Sequence, residues 1–192
     1  MRRFPQRAYG SVYLSPAHPE FSLQKFDRCV RDGPMVAIGE LEADKRCSVP
    51  EMDPIVECAA SMKVPILQHT WLKLDGNEPG ESSPYDLVEI ARRHPDVNFI
   101  CAHTGGDWER GIRILRDTKN VMAGIAGFDP TSGVVEMAVG ELGPGLPSAL
   151  RGCYLAQHED GCGRPRSGSA VSPGLARPCF REAPACCRHT VN

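Results

Sequence analysis

Short apolar runs alternate with helical patterns between residues 7 and 142. Residues 9–14 (YGSVYL), 35–41 (MVAIGEL), 64–69 (VPILQH), 97–103 (VNFICAH) and 120–125 are apolar stretches of strand length. The segments between them follow the helical period. Residues 21–31 put Phe26 and Val30 on one face, and residues 50–62 begin with proline and an acidic first turn. Residues 83–94 start on Ser83 as N-cap with Pro84 at the first helical position, residues 107–119 start on Asp107, and residues 130–142 follow Asp129 as cap.

Five strand–helix units in about 135 residues predict an α/β fold with a parallel sheet and right-handed crossovers. An open doubly wound sheet and a partial TIM (β/α)8-type barrel both fit this alternation. In either, ligands bind at the carboxyl ends of the strands, and the polar residues fall there. Gln68 and His69 close the third strand and His103 the fourth; Asp129 follows the fifth, and Glu40 lies near the end of the second.

Composition divides the chain. Residues 1–142 carry 16 Lys+Arg and 21 Asp+Glu; residues 143–192 carry six Arg, no Lys and three acids, and lack Ile, Met and Trp. The apolar periods stop at the same point, so residues 1–142 are expected to form the barrel domain and residues 143–192 an irregular or disordered tail, of the kind an out-of-frame GC-rich stretch encodes. The net charge of −2 offers no basic field for nucleic acid or an anionic membrane. No apolar run reaches the roughly 18 residues of a membrane-spanning helix. Cys29, Cys47, Cys58 and Cys101 are scattered, the pattern of small thiols in a reduced compartment, and a cytoplasmic location is expected.

His69 and His103 carry the candidate chemistry. The ends of neighbouring parallel strands lie about 4.8 Å apart, so two imidazoles there converge on one ion or one substrate atom. Gly105 and Gly106 let the backbone leave the strand sharply and leave room beside His103 for a ligand. The loop after His69 (TWLKLDGNEPGESS) has the length of a substrate-binding loop. Glu40, a carboxylate after VAIG in a buried strand, needs a partner. The bland alternatives are that each histidine bonds a loop carbonyl and that Asp129 is only a helix cap. His18 and His94 precede prolines in turn-like contexts and are expected to be solvated. Cys179, Cys186, Cys187 and His189 are the best case for a second metal module, but no Cys-x-x-Cys pair supports it. A nucleotide-binding Gly-x-Gly-x-x-Gly is missing after the first strand.

GELE, PILQHTW, GNEPGESSP, ARRHPDVNFICAHTGGDWE and GFDPTSGVVEMAVGELG together resemble the amidohydrolase-related family of metal-dependent TIM-barrel hydrolases and decarboxylases, of the aminocarboxymuconate-semialdehyde decarboxylase type. The resemblance runs from about Tyr9 to Gly143. It implies that the five units are strands three to seven of an eight-stranded barrel. It further implies a divalent metal, zinc or alternatively manganese, with His69 and Glu40 as ligands. His103 would then bind substrate or shuttle a proton. The expected activity is hydrolysis of a C–N or C–O bond, or decarboxylation of a small carboxylic acid. The partner is a small-molecule substrate, without nucleic acid or membrane, and a homo-oligomer is compatible.

The chain departs from the family at both ends. No His-x-His stands near its start, and Asp160 sits in a polar, glycine-flanked segment rather than at the end of a strand. The expectation is therefore a fragment with an incomplete active site, the alternative being a catalytically inactive remnant.

Overall fold

The computed structural model describes residues 9–42, 45–126 and 133–143. Asp129, Pro130 and the tail from residue 144 onward, with its cysteines and Asp160, lie outside the described residues. The strands are β1 (Gly10–Val12), β2 (Met35–Leu41), β3 (Ile66–Gln68), β4 (Phe99–Cys101) and β5 (Val121–Ala123). They form one sheet in the order β1-β2-β3-β4-β5, every neighbouring pair parallel. The order never reverses, so no topological switch point exists among these strands. This is the arrangement of a TIM-barrel arc, not of a doubly wound sheet.

The helices are α1 (Pro19–Phe26), α2 (Asp53–Met62), α3 (Pro84–Arg93), α4 (Trp108–Leu115) and α5 (Val134–Leu142). Right-handed crossovers between strands in sequential order place every helix on the same face of the sheet. The core lies in that layer. Ile38, Ile66, Phe99 and Val121 stand in register across four strands and pack against Phe26, Ile55, Leu87 and Ile90. Phe26 and Val30 are both buried, as their spacing predicts, although the chain passes from α1 into a wider helical turn at Asp27–Arg31.

Local chemistry sets the helix starts. Ser83 closes a capping box with Asp86, each side chain accepting from the other residue's backbone N–H, and Pro84 occupies the first turn. The Asp107 side chain accepts from the Arg110 N–H at 3.3 Å. α5 is described from Val134, with Gly133 as its N-cap; the predicted start at residue 130 lies outside the described residues. No helix among the described residues is long and apolar enough to cross a membrane.

His94 differs from its expected solvated state. Its Nε2 lies 2.8 Å from the Asp53 carboxylate, which Arg93 also meets at 2.7 Å. That pair ties the end of α3 to the start of α2. The partner is 41 positions away, out of reach of a local pattern. His18 is exposed, as expected.

Candidate metal and proton-transfer site at the strand ends

Three successive strands bring one side chain each to the carboxyl end of the sheet. β2 supplies Glu40 through an irregularity in its pairing. Ile38 pairs with Ile66 but Leu41 pairs with Gln68, so three steps on β2 face two on β3. Such a bulge re-aims the residues within it. Ile38 and Leu41 both join the helix-side core, and Glu40 turns to the opposite, inner face. Gly39 is what the bulge demands: its φ is +120°, and a Cβ there would meet the Leu67 carbonyl oxygen at 2.2 Å.

His69 follows the last residue of β3, its backbone N–H donating to the Leu41 carbonyl at 2.9 Å. His103 lies two residues past β4, where the chain enters four consecutive left-handed residues, with φ of 59° at His103, 48° at Thr104, 79° at Gly105 and 73° at Gly106. Left-handed non-glycine residues cost energy and persist only where their surroundings hold them. Buried Thr104 supplies one hold, donating from Oγ1 to the Gly124 carbonyl at 2.8 Å. Buried Thr70 donates to the Ala102 carbonyl at 2.8 Å, and the Leu72 N–H donates to the Gly105 carbonyl at 2.8 Å.

The two glycines do not make room for a ligand. A Cβ on Gly106 would sit 2.7 Å from the Trp71 indole, and one on Gly105 would meet Pro84 at 2.5 Å. The space beside His103 is filled by Trp71. That ring stacks parallel to His69 at 6.2 Å between centroids and meets His103 edge-on at 5.6 Å. Trp71 is the site residue that sequence reasoning missed. The available signal was an aromatic two positions beyond a strand-end histidine.

Glu40 Oε1 stands between the imidazoles, 3.0 Å from His69 Nδ1 and 2.9 Å from His103 Nε2. The ring centroids of the two histidines are 4.9 Å apart. On the other side of its ring, His103 Nδ1 lies 2.7 Å from the Ala126 carbonyl. A carbonyl only accepts, so Nδ1 carries a proton there, and any proton gained or lost moves at Nε2, toward Glu40. The hydrogen bond to Glu40 raises the His103 pKa above the usual histidine value, against the opposing effect of burial. The same bond, helped by His69, lowers Glu40, again against burial. Each group favours the charged form of the other.

One potential ligand atom from each of Glu40, His69 and His103 lies within 4.8 Å of the other two. Donors sharing a tetrahedral ion with bonds near 2 Å sit roughly 3.3 Å apart. The two separations to Glu40 Oε1 are already close to that, and modest side-chain rotation closes the third. Two nitrogens and one carboxylate oxygen are a donor set that zinc accepts with one position left open. The backbone carbonyl behind His103 fixes the orientation of that imidazole beside the other two groups. The residues therefore fit a divalent ion.

A sequence model of the amidohydrolase family matches residues 1–170. The chain belongs to the amidohydrolase family. The match extends past the compositional break at residue 143. Among solved structures, the chain resembles a TIM-barrel protein from Bordetella bronchiseptica, described as uncharacterized, at 11% identity and a TM-score of 0.53 over 65% of this chain's length. It also resembles a candidate amidohydrolase from Staphylococcus aureus at 20% identity and a TM-score of 0.53 over 74% of its length. At these identities the likeness is one of fold. The chain spans 45% and 61% of those two proteins. No curated protein sequence matches it.

Proposed function

We propose that this amidohydrolase is a metal-dependent hydrolase acting on a C–N or C–O bond of a small molecule, with His69 and Glu40 as ligands to a divalent ion and His103 as acid and base. The observation that carries this reading is the Glu40 carboxylate flanked at about 3 Å by two imidazoles on adjacent strand ends. A bound zinc or manganese ion would polarise the scissile group and acidify water.

The chain's own residues supply the rest. Ala126 holds the His103 ring so that Nε2 faces the cluster. The raised pKa keeps that nitrogen protonated nearer to neutrality, where a general acid is most useful. Its Nε2 proton goes to the departing group and is replaced by one from the attacking water, while Glu40, 2.9 Å away, stabilises the imidazolium form. Trp71 covers the two rings and keeps bulk water from one side of them. Decarboxylation of a small carboxylic acid would draw on the same residues, but the surroundings of His69 described below favour a nitrogenous substrate.

A panel of amides, lactones and small carboxylic acids tests this. Chelator-treated protein is expected to be inactive and to regain turnover of an amide or lactone on addition of zinc or manganese. His103→Gln should lower kcat by about 100-fold or more while metal is retained. Equal activity with and without metal would refute the proposal, as would full activity of His103→Gln.

A further inference from the structure

A cavity of about 240 Å³ opens beside His69, between the ends of β2 and β3 and the long loop that leads to α3. Among the described residues its lining includes Glu42, Glu78 and Glu81 but only one lysine or arginine, Lys73. Lys73 is already committed: its ammonium lies 3.0 Å from the Glu81 carboxylate. A substrate carboxylate entering here would meet a surplus of negative charge.

Gln68 gives the cavity a directed contact. The residue is 3% exposed. Its Nε2 donates to the Leu41 carbonyl at 2.9 Å and to the His69 carbonyl at 3.0 Å, with the Ser82 hydroxyl at 3.4 Å. Two carbonyl acceptors fix which end of the amide is nitrogen. The other end, Oε1, accepts from no described residue, yet it is not among the fully enclosed unpaired atoms. Gln68 belongs to the lining, so Oε1 is the end of its amide left for a donor that enters the cavity. A nearly buried carbonyl oxygen without a donor is costly, and a donor supplied from the cavity relieves that cost.

We infer that this cavity is a specificity subsite for a nitrogenous group bearing N–H donors and positive charge, such as a primary ammonium or an amidinium, and that it turns carboxylates away. The inference rests on the proposed reaction at His69, and it names the class of substrate: an amide or related compound whose cationic end is read by Gln68 Oε1 and by the carboxylates of Glu42 and Glu78. The Glu42 carboxylate lies 4.0 Å from His69 Nε2, so a group held there sits against the reacting centre.

The test is binding, not turnover. n-Butylammonium, benzamidinium and butyrate are titrated separately into the full chain at pH 7. Histidine side-chain and Trp71 indole resonances report the contact, with and without one equivalent of zinc. The two cations should saturate and shift His69 and Trp71, and butyrate should not. Glu42→Lys, at an exposed position that leaves the packing alone, should weaken n-butylammonium about fivefold. Gln68→Met should weaken it by about fivefold or more, and Glu78→Gln keeps the question open should that variant misfold. Butyrate binding as well as or better than n-butylammonium would overturn the inference, as would folded protein that saturates with neither cation. Failure of the cations while zinc still binds at His69 sinks the subsite alone. Failure of zinc while the cations still shift His69 sinks the metal reading instead.

Discussion

His69→Ala is expected to lower the affinity of the chain for zinc by more than about 100-fold, whereas His94→Ala should leave it within about twofold. Changes to the partners of a ligand already cost 10- to 100-fold in metal affinity, so loss of the ligand itself exceeds that. His69 stands on the central strand of the three that form the cluster, against Glu40 on one side and the His103 ring on the other. Its removal takes one of the two proposed ligands and leaves Glu40 without one of its two imidazole partners. His94 is the matched control, because it binds Asp53 between α2 and α3 and touches none of the cluster. Competition against a chromophoric chelator measures both variants. Equal losses would mean that zinc is held elsewhere, and no loss in either would remove His69 from the site.

The second large effect is on stability, and it comes in two opposite signs from one substitution. Alanine normally gains about 1 kcal/mol over glycine inside a helix. At Gly140, in α5, a Cβ meets no described residue within 4 Å, so Gly140→Ala is expected to stabilise by up to about 1 kcal/mol. At Gly111, in α4, a Cβ would lie 1.8 Å from the Thr104 carbonyl oxygen. The helix must move away from the left-handed turn that carries His103. Overpacking against backbone costs about 3 kcal/mol and outweighs the propensity gain. Gly111→Ala should therefore lose about 2 kcal/mol net, lowering Tm by roughly 4–8 °C. Urea and thermal unfolding of both variants give the answer. A stabilised Gly111→Ala would mean that α4 does not pack this closely on the turn.

These two glycines mark how far the sequence could be read. Strand and helix alternation, the parallel order and the caps at Ser83 and Asp107 were legible because each is a local pattern with a period or a fixed offset. The strands were read too long where apolar residues outlast the ladder. The run through residues 97–103 looks continuous, but pairing ends at Cys101, and His103 and Thr104 turn left-handed, held by the bond from Thr104 to Gly124. The positions of Glu40, His69 and His103 followed from their places at strand ends. The bulge that brings Glu40 to the inner face did not, since it depends on register against β3. Trp71 beside the histidines, and the Asp53–His94 pair, arise from contacts between segments brought together only by folding.

Gly105 and Gly106 show the same limit from the other side. The motif was rightly read as a sharp exit from the strand, but the atoms that need the missing Cβ belong to Trp71 and Pro84. A glycine in a sequence signals close approach; it does not say of what.

The central claim is that His69 and Glu40 hold one divalent ion, with His103 beside it as acid and base. X-ray absorption at the zinc edge, on the full chain loaded with one equivalent of zinc, addresses it most directly. The expected shell is nitrogen and oxygen at about 2.0–2.2 Å, with the multiple-scattering signature of one imidazole, which disappears in His69→Ala. A shell containing sulfur near 2.3 Å, the distance of a cysteine ligand, or a spectrum unchanged by His69→Ala, would contradict it.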